Sequence, residues 1–107
     1  MQSPEDRKAN LPAIDDIDRI IHSPARLIVL SYLEVVEEMD FIYLMNLTEL
    51  TWGNLSVHLR KLEEAGYIKI EKSIVQRKSR TTLQITKEGR TALQQYREQL
   101  RPIVLDE

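Results

Sequence analysis

The chain of 107 residues contains no cysteine. That excludes disulfides and any thiolate metal site. Only two histidines, His22 and His58, are present, too few for a metal centre built from convergent imidazoles. The sequence therefore predicts no metal and no cofactor, and His58 reads as a structural residue or as one flanking a binding surface. Glycine is scarce as well. Gly53, Gly66 and Gly89 are the whole supply, so a glycine-rich phosphate loop cannot be built. No serine or carboxylate sits in a recognisable catalytic motif, which argues against an enzyme. No apolar run approaches the roughly 20 residues of a membrane-spanning helix. The opening MQSPEDRKAN lacks the apolar centre of a secretory signal, so a cytoplasmic location is expected. The length is that of one domain, 1–107, large enough to bury a core without covalent staples.

Positive charge is also short overall, at a net −2, but it is unevenly placed. Residues 1–50 hold 4 Lys/Arg against 10 Asp/Glu, net −6; residues 51–90 hold 9 against 4, net +5; residues 91–107 hold 2 against 3, net −1. An acidic body with one basic segment can still bind phosphates, because the local potential governs the contact.

The basic segment begins with TWGNLSVHLRKLEEAG, Thr51 to Gly66. Thr51 suits an N-cap, since its hydroxyl can accept from the unpaired N–H groups of a helix start. Gly66 suits the left-handed position after a helix end. Leu55, Leu59 and Leu62 recur at i, i+4 and i+7 and form one apolar stripe. Trp52, Gly53, Ser56, Val57, Arg60 and Lys61 lie off that stripe. Its first turns are small, polar or aromatic rather than acidic, as in a helix whose start enters a DNA major groove.

Before it, residues 1–12 read as flexible. Ile14, Ile17 and Ile21, with Asp15 and Asp16 in the first turn, predict an amphipathic helix over 14–22. Ser23 caps and Pro24 starts a nearly all-apolar helix, Ala25 to Val36. Asp40 caps another from Phe41 to about Leu47, with Tyr43, Leu44 and Leu47 facing inward. Two short helices joined by about four residues make a helix-turn-helix. After Gly66, Tyr67, Ile68 and Ile70 alternate with Lys69 and Glu71, a half-exposed strand. Val75–Arg80 reads as a basic connection, and Thr81–Ile85 as a second strand. Thr86 caps a last helix, 87–101, which Pro102 ends or kinks. The expected fold is mainly α with a little β: a winged helix-turn-helix with a two-stranded hairpin and terminal flanking helices.

Here the residues also carry a resemblance. Gly53-Asn54-Leu55-Ser56, His58-Leu59, Leu62-Glu63, Ala65-Gly66-Tyr67, then Ile85-Thr86 and Gly89-Arg90, together with the SPARL run Ser23–Leu27, follow one ordered pattern. It resembles the winged-helix transcriptional regulators of the MarR/ArsR type over about residues 14–100. Similar wings often carry glycine or proline near the tip, where this chain has Gln76, Lys78 and Ser79. Relatives of the ArsR type often sense metals through Cys or His clusters, which this chain lacks.

The winged-helix order assigns roles. Helix 52–65 is expected in the major groove of double-stranded DNA, with Thr51, Trp52, Asn54, Ser56, Val57, Arg60 and Lys61 as contact residues. Trp52 could instead pack back on the preceding helix. Wing 74–81 would place Arg77, Lys78 and Arg80 on phosphates or in the minor groove. Leu30, Leu33, Leu44, Leu55, Leu59, Leu62, Ile68 and Leu83 suffice for a core. That makes Ile14, Ile17, Ile21, Leu93, Tyr96 and Leu100 surplus apolar surface, expected to pair two copies into a homodimer. The alternative is a winged helix used for protein contact without DNA. Neither operator nor effector is readable.

Overall fold

The computed structural model describes residues 11–105. Flexibility expected for residues 1–12 falls almost wholly outside them. The chain enters through a short 3-10 turn, Ile14–Asp16, not the helix expected over 14–22. Asp18 is the reason. Its carboxylate accepts from the backbone N–H groups of Ile20 (2.8 Å) and Ile21 (3.0 Å), and from the Tyr67 hydroxyl (2.5 Å). An aspartate that captures nearby N–H groups offers the backbone an alternative to helix. Ile21 still reaches the core.

Helix α1 spans Pro24–Leu33, with Pro24 at its first position and Ser23 Oγ accepting from Arg26 N–H. It stops short of the expected Val36. There the Arg90 guanidinium takes the free carbonyl of Glu34 (2.7 Å), and Arg97 forks onto the Glu34 carboxylate (2.6 and 2.9 Å). The Arg90 donor satisfies a backbone carbonyl that a further turn would otherwise have used.

A two-residue strand, β1 (Met39–Asp40), follows, and Asp40 then caps α2 (Phe41–Thr48) by accepting from the N–H groups of Ile42 and Tyr43. The inward residues of α2 are Phe41 and Leu44. Tyr43 is 59 % exposed and Leu47 also faces outward, contrary to the spacing argument. The run FIYLMNL is apolar on almost every side, so periodicity cannot choose its buried stripe. Glu49 turns left-handed (φ 57°) and ends α2.

Helix α3 spans Trp52–Glu64; Thr51 caps it by accepting from Asn54 N–H (3.1 Å). Leu55, Leu59 and Leu62 are buried, as their spacing predicts. Gly66 (φ +82°) terminates it: Gly66 N–H donates to Glu63 and Tyr67 N–H to Leu62, a Schellman close.

Strands β2 (Ile68–Val75) and β3 (Lys78–Ile85) pair antiparallel from Ile68↔Ile85 to Val75↔Lys78, and β1 joins the other edge of β3, giving the order β1-β3-β2. The sheet thus has three strands rather than two. The expected basic loop Val75–Arg80 shrinks to the pair Gln76–Arg77, because the ladder runs almost to the tip. Thr86 caps α4 (Lys87–Val104) by accepting from Gly89 N–H (3.0 Å). Pro102 lies inside α4 without ending it. So near the terminus it forfeits little, and Leu105 N–H still donates to the Arg101 carbonyl.

All eight expected core residues are buried. They are joined by Ile21, Val29, Met39, Phe41, Leu93 and Tyr96. Three of these, Ile21, Leu93 and Tyr96, are expected at a subunit interface from sequence but fill the chain's own interior. The reason is that α4 folds back onto α1 and the segment before it, with Arg97 donating to Ser31 Oγ (3.3 Å) and Tyr96 OH 2.8 Å from His22 Nδ1.

Candidate nucleic-acid interface

Helix α3 presents its polar side to solvent because its leucine stripe is consumed by the core. Trp52, Gly53, Asn54, Val57, Arg60 and Lys61 are all exposed, and Trp52 is 65 % so. Ser56 is half-buried and its hydroxyl donates to the Trp52 carbonyl (2.8 Å). Thr51 is exposed too, although its hydroxyl is engaged as the cap. Trp52 packs back in part on the preceding helix. Its indole tilts against Phe41 (centroids 5.9 Å, interplanar 53°) while most of its surface stays open.

Between α3 and the β2–β3 hairpin runs a cleft of about 690 Å³. Trp52, Ser56 and Arg60 line one wall, and Lys72, Ser79 and Arg80 the other. The hairpin therefore brings Arg80 to the same recess as Arg60. Arg77 and Lys78 stand farther out, exposed at the tip. Arg80 is not wholly free: its Nε lies 3.4 Å from Asp40 Oδ1. That pair is partly exposed and so worth at most about 1 kcal/mol, which an incoming phosphate can readily outbid. Lys72 and Ser79 were not singled out from sequence. The only available signal was their place beside a hairpin whose register was unknown.

On another flank of α3, His58 Nδ1 lies 3.1 Å from an Arg26 Nη. Burial lowers the His58 pKa from its usual 6.5, and the neighbouring charges of Arg26 and Lys61 lower it further. Among the described residues, no three His, Asp or Glu side chains gather as a metal site would need. Among them too, no helix is long and apolar enough to cross a membrane.

Comparison with known proteins agrees with this geometry. A family model described as "Winged helix DNA-binding domain" matches residues 25–104. An uncharacterised protein of Methanocaldococcus jannaschii is 38% identical over 78 residues, which is 73% of this chain and 85% of that one. A solved transcriptional regulator homologue from Pyrococcus horikoshii superposes with TM-score 0.76 at 30% identity, covering 81% of this chain and 86% of its own. A MarR mutant from E. coli, solved with operator DNA, shares the fold at TM-score 0.61 and 16% identity, over 73% of this chain and 55% of its own. On the extent of the family match and the identity to these relatives, the chain belongs to the winged helix DNA-binding domain family, as a DNA-binding transcriptional regulator with the MarR fold rather than an enzyme.

Proposed function

We propose that the chain acts as a homodimer on specific double-stranded DNA sites. Helix α3 enters the major groove, and the wing, residues 74–81, lies on the adjacent backbone or in the minor groove. The observation that carries this reading is the cleft shared by Arg60 and Arg80, beside an α3 face that is open from Trp52 to Lys61. Asn54, Val57 and Arg60 are the residues able to reach base edges. Lys61, Arg77, Lys78 and Arg80 are suited to phosphates.

The dimer reading now rests on different residues. With Ile21, Leu93 and Tyr96 internal, the apolar surface left near the ends of the described chain is Leu11, Ile14, Ile103, Val104 and Leu105, flanked by half-buried Ile17 and Leu100. Gln99 donates to the Asp16 carbonyl (2.6 Å), so the 3-10 turn and the last turns of α4 lie side by side. One continuous patch of this kind suits a two-fold contact.

Selection of random duplex DNA by the purified chain tests the proposal. Enrichment of an inverted repeat, its halves about one helical turn or roughly 34 Å apart, is the expected result. Failure to retain any duplex at low salt would overturn it.

A further inference from the structure

Away from the cleft, two cations beside His58, Arg26 and Lys61, pair with no carboxylate among the described residues. Arg26 stands in the first turn of α1. Its Nε donates to the Ile20 carbonyl (2.5 Å), and Nη1 points to His58 Nδ1 (3.1 Å). A guanidinium can only donate. His58 Nδ1 must therefore accept, which puts the ring proton on Nε2 and leaves the imidazole neutral. Lys61 follows His58 by three residues on the same helix and so shares its side. None of the three lines the cleft with the wing. Among the described residues, no carboxylate pairs with Arg26 or Lys61. Nor do Arg26 Nη2, His58 Nε2 or Lys61 Nζ have a hydrogen-bond partner there.

A helix lying in the major groove has a row of phosphates along each flank. The wing's cations serve one flank only. We propose that Arg26, His58 and Lys61 form a second phosphate clamp on the opposite flank of α3, with Arg26 at its centre. The clamp rests on the reading of α3 as the groove helix. Two bonds, one to the N-terminal segment and one to α3, already hold the guanidinium, so little side-chain freedom is lost when a phosphodiester arrives. The spare donors then supply charge-assisted hydrogen bonds, and His58 Nε2–H adds a neutral one. The lowered His58 pKa is consistent with a cluster that lacks an anion.

Fluorescence anisotropy of a duplex, titrated between about 50 and 200 mM salt, tests the clamp, with circular dichroism reporting the fold. Arg26→Gln is expected to flatten the plot of log affinity against log salt by about 0.9, the contribution of one phosphate contact. Its affinity should fall alike on selected and random duplexes. Arg26→Lys, which keeps the charge, should restore the slope, whereas a purely structural arginine would leave the slope untouched. Arg77→Ala on the wing is the reference. If its slope falls while that of folded Arg26→Gln does not, the clamp is wrong and the DNA reading stands. If the wild-type chain binds no duplex, both fail. Should Arg26→Gln unfold, His58→Glu carries the test. It sets a carboxylate beside Arg26 without removing the arginine, and an unchanged slope there also overturns the clamp.

Discussion

Gly89 and Gly53 show how one residue type is used for opposite reasons. A Cβ on Gly89 would lie 2.1 Å from the Tyr67 carbonyl oxygen and 2.9 Å from its carbon, where Tyr67 O accepts from Thr86 N–H. That is backbone, which cannot swing aside. Gly89→Ala should therefore cost about 1–3 kcal/mol in urea unfolding, as overpacking does. A Cβ on Gly53 meets nothing within 4 Å. Gly53→Ala should stabilise by up to about 1 kcal/mol, the ordinary helix preference for alanine. If the two changes shifted the midpoint alike, the close approach at Gly89 would be refuted. His58 offers a test in pH. Its folded-state pKa lies below the 6.5 of the free imidazole, through burial first and then the charges of Arg26 and Lys61. Protonation thus favours the unfolded chain, and stability complete above that range is lost as pH falls through it. The wild-type melting temperature should drop relative to His58→Gln between about pH 7.5 and 5. Parallel curves for the two proteins would mean that His58 is not held neutral by its neighbours.

At the scale of elements, the wing carries a stability cost that the proposed phosphate contact would explain. Gln76 and Arg77 both hold positive φ, 53° and 67°. A two-residue hairpin of this kind favours Asn-Gly, and each non-glycine residue in the left-handed region costs on the order of 1 kcal/mol. Arg77→Gly should raise the unfolding midpoint by roughly that amount while lowering the salt slope of DNA binding by about 0.9. A variant stabilised without loss of slope would remove Arg77 from the phosphate contacts. The proposed groove contact of α3 is separated from that of the wing by a different measurement. Arg60→Ala should lose about 1–3 kcal/mol on the selected site and less on random duplex, if Arg60 pairs with a guanine. Equal losses on both would make it a backbone contact.

For the whole molecule, the proposed dimer requires an apolar surface that two copies can share. Leu93 and Tyr96 are interior, so a charge at Leu93 would unfold the chain rather than separate subunits. Ile14 is 83 % exposed and Ile103 49 %. Ile14→Asp with Ile103→Asp should give a folded monomer by light scattering and circular dichroism, with much weaker binding to an inverted repeat. A wild-type chain that is monomeric at micromolar concentration, or a double variant that stays dimeric, would rule out this patch as the interface.

Local rules carried much of this protein. Ser23, Asp40, Thr51 and Thr86 all cap the helices they precede. The leucine stripe of α3 and its glycine stop are where spacing places them, because a cap or a helical turn is completed by residues three or four positions away. The order of elements, and with it the helix-turn-helix and hairpin, follows from those signals. What the tertiary structure alone decided depends on partners far along the chain. Tyr67, 49 residues from Asp18, helps bend the entry segment out of helix. His22 meets the hydroxyl of Tyr96 across 74 residues, and α4 turns inward, so a stripe that looked surplus became core. Strand β1 is two residues long and exists only because β3 offers it an edge. The cluster of Arg26 with His58 joins two helices 32 residues apart, a juxtaposition no periodicity in either helix encodes.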